Sequence, residues 1–150
     1  MGRALRSAAS RDREATTVTN TERPAVVERW HRVTETKDLA ALDALIADDA
    51  VFRSPVVFTP QEGKAATLAY LRAAVTVFGD GTGFHFVGEW YAPNSAVLEF
   101  VADLDGVQVN GVDMIEWDEH DRITRFTVMV RPIKGLQALI PRMAAQLGQA

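Results

Sequence analysis

The residue types that could do chemistry are few. Cysteine is absent, which excludes a thiolate nucleophile, a disulfide framework and a Cys-based zinc site. The three histidines, His31, His85 and His120, lack the i, i+4 spacing that brings two imidazoles to one helix face. No metal and no other cofactor is therefore expected. Carboxylates are plentiful, but one stands apart. Side chains alternate across a strand, so in the run Val107–Trp117 one face carries Val107, Val109, Gly111, Asp113, Ile115 and Trp117. The other carries Gln108, Asn110, Val112, Met114 and Glu116. The neighbouring runs divide the same way. Leu98, Phe100, Ala102 and Leu104 oppose Glu99, Val101, Asp103 and Asp105, and Phe126, Val128 and Val130 oppose Arg125, Thr127, Met129 and Arg131. With the apolar faces inward, Asp113 is the only ionisable side chain these three runs send to the interior.

An isolated carboxylate in apolar surroundings is costly, so its pKa should rise unless a cation or several donors meet it. Held neutral at pH 7, such an acid can donate a hydrogen bond to a ligand oxygen. Two plainer readings compete: Asp113 bonds backbone amides beside Gly111, or a bulge turns it to solvent. His85 alternates with Phe84 and Phe86, and the pattern leaves its direction open. Facing inward, it would be the best base, since its unperturbed pKa is near 6.5. Glu89 falls on the same face as His85 by simple alternation, so a His85–Glu89 pair is conceivable. His31 follows Trp30 by about 100° of helical turn and cannot face the same point, which makes it a surface or boundary residue. His120 lies in an acidic turn and reads as solvated.

Elements that would position these groups follow from periodicity. Val26, Trp30 and Val33 mark one face of a helix with Pro24 in its first turn and Thr21 or Glu22 just outside. Asp38 is a candidate N-cap for a second helix with Leu39, Leu42, Leu45 and Ile46 as its stripe. Val51 and Phe52 begin a short extended piece that Pro55 interrupts. Leu68, Leu71, Val75 and Phe78 define a third helix after Gly63. The Gly79–Gly83 cluster precedes a strand rather than a helix, so it reads as a flexible turn and not a phosphate cradle. Four strands then run from Phe84 to Tyr91, Ala96 to Leu104, Val107 to Trp117 and Ile123 to Val130. Asp105-Gly106 suits a type I′ hairpin, and Asn110-Gly111 reads as a bulge. A last helix passes through Leu136, Leu139, Ile140, Met143 and Leu147, where Pro141 should kink or divide it.

The chain has 150 residues, 47% of them hydrophobic and 24% charged, with a net charge of -4. That is one globular domain, over residues 22–150, behind a solvated tail over residues 1–21 that carries Arg3, Arg6, Arg11 and Arg13. An acidic balance argues against nucleic acid as partner. No apolar run reaches the roughly 20 residues a spanning helix needs, so no membrane is expected and the reading is cytoplasmic.

The order of elements resembles the NTF2-like superfamily, and within it the SnoaL-like and ketosteroid-isomerase-like branches. The segments Asp38-Leu-Ala-Ala-Leu-Asp-Ala-Leu-Ile-Ala-Asp-Asp-Ala-Val-Phe and Val112-Asp-Met-Ile-Glu-Trp-Asp-Glu-His-Asp-Arg-Ile carry the likeness, as does Thr127-Val-Met-Val-Arg-Pro. It spans about Pro24 to Leu147. It implies an α+β cone: a strongly curved antiparallel sheet packed on three N-terminal helices, a C-terminal helix, a deep apolar pocket and a homodimer.

Ketosteroid isomerases combine an Asp base with an oxyanion hole of a Tyr and a protonated Asp. The resemblance places Asp113 where the protonated Asp stands. It puts Ser54 in place of the base and Trp30 in place of the oxyanion Tyr. A supporting Tyr falls on Leu71, with Tyr70 adjacent. A serine without an adjacent base abstracts no proton at neutral pH, so the steroid-isomerase machinery is incomplete. The water-activating groups of limonene epoxide hydrolases fall on Val128, Phe100 and Ala102, none of which could bind water. A polyketide-cyclase role, with an acid/base Asp, remains open to Asp113.

The expected pocket is lined by Trp30, Phe52, Tyr70, Phe100, Trp117, Phe126 and Val128, with Ser54 at its edge. Its expected occupant is a small hydrophobic molecule carrying a carbonyl or hydroxyl. Isomerase- or cyclase-type proton transfer would use Asp113 as donor and His85 or Glu89 as base. The alternatives are a ligand carrier without chemistry and a dimerisation module whose pocket is filled core.

Overall fold

The computed structural model describes residues 22–148. The tail expected over residues 1–21, with Thr21, lies outside them. Helix α1 (Ala25–Thr36) follows Pro24, and its buried residues Val26, Val27, Trp30 and Val33 form a broad stripe. Lys37, at φ 57°, ends it by donating its N–H to the Val33 carbonyl. Asp38 caps α2 (Leu39–Leu45), its side chain accepting from the Ala41 N–H at 3.0 Å. This helix is shorter than the Leu39–Ile46 stripe predicts. Leu39 is exposed, and Ile46 already opens strand β1 (Ile46–Arg53), which is correspondingly longer than the piece expected around Val51 and Phe52.

Strand β2 (Gln61–Glu62) pairs with β1, and Gly63, at φ 95°, turns the chain into α3 (Lys64–Val77). Strands β3 (His85–Ala92), β4 (Ser95–Leu104), β5 (Val107–Trp117) and β6 (Ile123–Arg131) follow, each antiparallel to the next. The β4–β5 turn has positive φ at both Asp105 (53°) and Gly106 (88°), as a type I′ hairpin requires. Helix α4 (Ile133–Leu147) closes the chain and continues undivided through Pro141.

The sheet order is β2-β1-β6-β5-β4-β3. It is mixed rather than wholly antiparallel, because β1 runs parallel to β6. Short turns force antiparallel pairing only between consecutive strands. Here α3 and four strands intervene before β6 returns beside β1, so nothing local sets their relative direction. A second departure concerns Asn110-Gly111, where the β4–β5 and β5–β6 registers run on without a bulge. The glycine answers to packing instead. A Cβ on Gly111 would lie 2.5 Å from Phe100 Cζ and 2.6 Å from the Met129 carbonyl oxygen.

The main core lies between α1–α3 and the inner sheet face, where Trp30, Leu42, Leu71, Leu98, Ile115 and Phe126 are buried together. A second cluster, around Phe100, Leu104, Val109 and Leu139, lies beneath α4. Among the described residues no helix is long and apolar enough to cross a membrane.

Candidate ligand-binding site

Asp113 takes its place from the β5 register, flanked in the sheet by Leu98 on β4 and Val128 on β6. Both plainer readings fail here: it does not face water, and no bulge lies beside it. It is 5% exposed, and the Trp30 indole Nε1 donates to its Oδ2 at 3.3 Å. Trp30 is aimed there by the buried stripe of α1 and by an edge-on contact with Phe126, ring centroids 5.0 Å apart. Burial pushes the Asp113 carboxyl up from 3.8 to about 7, and the single indole donor only partly opposes it. The group therefore exchanges its proton near neutrality.

Asp113 and Trp30 open onto an inner chamber of about 50 Å³, walled also by Phe84, Phe100 and Leu71. Thr34, one turn beyond Trp30, adds a hydroxyl. A second, nearly wholly apolar compartment of about 180 Å³ lies under α4, against Phe52, Tyr70, Leu139 and Met143. Phe52 and Tyr70 stack with centroids 4.9 Å apart. Ala74, Phe78 and Val128 wall both spaces.

Most residues singled out in the sequence divide between the two compartments. Trp30, Phe100, Phe126 and Asp113 reach the chamber, Phe52, Ser54 and Tyr70 the outer compartment, and Val128 both. Trp117 reaches neither. It is buried at the far end of β5, opposite Ile123, where it fills core. The Ser54 Oγ accepts from the Val56 and Val57 N–H groups at 3.0 and 3.3 Å, so it organises the loop after β1.

The conceivable His85–Glu89 pair is ruled out by a bulge. Phe86 pairs with Phe100 and Gly88 with Glu99, which leaves Val87 as an extra residue in β3. One inserted residue reverses the alternation, so His85 and Glu89 fall on opposite faces. His85 is exposed, opposite Val101, with Nδ1 2.8 Å from the Gly83 carbonyl. It does not reach the chamber.

Glu89 instead meets α1. Its carboxylate contacts His31 Nε2 and accepts from the Tyr91 hydroxyl and from Arg23 Nε at 3.2 Å. Burial alone would raise its pKa. The Tyr91 hydroxyl, His31 and Arg23 outweigh that and hold it below the usual range. The His31 ring lies on Phe86, centroids 4.4 Å apart. His31 is thus a half-buried tie between α1 and β3, the boundary alternative of the two the sequence left open. The spacing Val27, His31, Thr34 continues the apolar stripe round the helix, and that was the available signal. Phe78 and the α4 residues Leu139, Ile140, Met143 and Leu147 carried a helical-stripe signal, but periodicity does not say which cavity such a stripe walls. Among the described residues no three His, Asp or Glu groups cluster as metal ligands do.

A family model described as a SnoaL-like domain matches residues 27–126. The fold is shared with a steroid delta-isomerase from Pseudomonas aeruginosa, 38% identical, with a TM-score of 0.77 over 83% of this chain and 90% of that one. A protein with a cystatin-like fold from Silicibacter pomeroyi DSS-3 is 27% identical, with a TM-score of 0.73 over 81% of this chain and 84% of that one. An NTF2-like protein of unknown function from Mesorhizobium loti is 25% identical, with a TM-score of 0.63 over 71% of this chain and 88% of that one. No functionally curated protein matches. The chain belongs to the SnoaL-like family and has the NTF2-like fold.

Proposed function

We propose that this domain binds a small hydrophobic molecule through a carbonyl or hydroxyl oxygen, to which the neutral Asp113 carboxyl donates a hydrogen bond. The observation that carries the reading is a buried carboxyl, met by one indole N–H, in the wall of a cavity whose other lining is apolar apart from the Thr34 hydroxyl. Such a donor strengthens as charge develops on the ligand oxygen. It would polarise a carbonyl and favour loss of a proton from the adjacent carbon, the first step of an isomerisation or cyclisation. The likeness to a protein described as a steroid delta-isomerase supports that class of chemistry.

A second reading, carriage without turnover, is favoured by the chamber's composition. Asp113 is the only titratable side chain among its lining residues, since His85 faces outward and Glu89 is engaged with His31. Catalysis would require the one carboxyl to serve at both points: its O–H protonates the carbonyl oxygen while its other oxygen takes the α-proton, which gives the enol and a carboxyl that is again neutral.

The test compares a cyclic ketone with the hydrocarbon of the same shape. In the parent the ketone binds more tightly. In Asp113→Leu its affinity falls by about 5- to 150-fold, because the carbonyl is buried without a partner, while the hydrocarbon is unaffected. An unchanged preference in Asp113→Leu would remove Asp113 from the site. Deuterium exchange at the α-carbon of the bound ketone distinguishes enzyme from carrier. A homodimer is also part of the proposal. It is supported by exposed Trp90, Met114 and Met129 on the strands, and light scattering at micromolar concentration tests it.

A further inference from the structure

The two compartments differ in size and chemistry, and they share three lining residues. Ala74 in the last turn of α3 and Phe78 at its C-cap lie one turn apart, and Val128 on β6 lines the same two spaces. On one side, about 50 Å³ ending at Asp113 and Trp30 has room for only a few water-sized groups. On the other, the space of about 180 Å³ is more than three times larger. There Ser54 is turned to its own loop, and the walls are otherwise Val56, Val57, Leu139, Met143 and their neighbours. A ligand oxygen at Asp113 therefore leaves space for only a few atoms before the chain of the ligand meets Ala74, Phe78 and Val128.

Building on the proposed role of Asp113, we infer that the ligand is a slender amphiphile. Its oxygen-bearing head of a few atoms occupies the chamber, a single chain or narrow ring passes Ala74, Phe78 and Val128, and an apolar tail lies under α4. The tail space corresponds to about six methylene-sized groups. A fused polycycle would place its second ring on the constriction. Ala74 is the specificity-determining position, because its methyl is the smallest of the three walls and any larger side chain narrows the passage.

The experiment titrates methyl ketones of increasing chain length, from 2-butanone to 2-dodecanone, into the intact protein by NMR. Affinity rises by about fourfold per methylene once the chain passes the constriction, then levels off as the tail space fills. Ala74→Leu lowers the affinity of long ketones far more than that of 2-butanone, which flattens the length dependence. Leu is a good helix former, and Val128→Phe blocks the same passage from the sheet should that variant fold poorly. Leu139→Phe, which fills the tail space, moves the plateau to shorter chains.

Affinity independent of chain length overturns the inference, as does equal loss of short and long ketones in both blocking variants. A fused tricyclic ketone bound as tightly as a linear one of equal carbon number also overturns it. The two proposals fail separately. Length dependence that survives with no ketone-over-alkane preference rejects Asp113 and keeps the passage. A preference for ketones without length dependence does the reverse.

Discussion

Asp113→Asn tests the physical state of the site without any knowledge of the ligand. The variant keeps the side chain's size and a donor for a ligand, but it cannot ionise. In the folded protein the Asp113 carboxyl is raised from 3.8 to about 7 by burial. Below about pH 4 the folded and unfolded chains both hold this proton, and Asp113 adds no pH dependence. Between about pH 4 and 7 the unfolded chain releases the proton while the folded one retains it, so stability falls as pH rises. Above about pH 7 both forms are ionised and the loss levels off. At 1.36 kcal/mol per tenfold change, the whole loss is on the order of 4 kcal/mol. That is a large share of the roughly 5–15 kcal/mol available to a domain.

The assay is urea unfolding followed by tryptophan fluorescence at half-unit intervals from pH 4.5 to 8.5, for parent and variant. The variant minus the parent should rise by about 3 kcal/mol between pH 4.5 and 8.5, the first part of the loss lying below the range, and flatten above pH 8. Taking the difference removes the opposite slope at acid pH from Glu89, Asp80 and Asp118, whose pKa values are lowered in the fold. A difference that stays constant with pH would mean that Asp113 ionises as it does in water. The claim of a neutral buried acid would then be wrong.

Gly111→Ala should cost about 1–3 kcal/mol in the same urea assay, because the new methyl meets the Phe100 ring and the Met129 carbonyl oxygen, and the latter belongs to the sheet. It should also weaken ketone binding by pushing Phe100 into the chamber; unchanged stability and binding would show that the ring moves freely. Glu89→Gln should destabilise the protein at neutral pH by loosening α1 from β3. Because the folded pKa of Glu89 is lowered, its contribution exists above about pH 4.5 and fades as pH falls below it, so parent and variant should converge in acid. A gap that persists at pH 3 would point to packing rather than charge. Asp38→Ala should cost about 1 kcal/mol through the lost bond to the Ala41 N–H, and Asp38→Asn should restore most of it.

Alternation along β5 was enough to mark Asp113, because a two-residue period is local and β5 is regular from Val107 to Trp117. The same rule misdirected His85, since one extra residue at Val87 reverses the faces, and a bulge depends on how two strands pair. Trp30 was placed against the Asp113 position by family resemblance and by its helical stripe. His31, one residue further, was read as a surface or boundary residue and lies at the boundary, but its tie to Glu89 was not legible because that partner lies 58 positions away in the numbering. Trp117 has the right strand parity but the wrong height along β5, and parity carries no information about distance from the cavity.

The order of elements apart from the two-residue β2, the Asp38 cap, the Asp105-Gly106 turn and the inward carboxyl of β5 were determined by the sequence itself. Each depends on interactions within a few residues or on a fixed backbone period. The parallel β1–β6 pair, the bulge in β3, the contact of Phe100 with Gly111 and the division of the cavity were decided only in three dimensions. They arise where segments far apart in the chain compete for the same volume, and close packing, not local preference, selects the outcome.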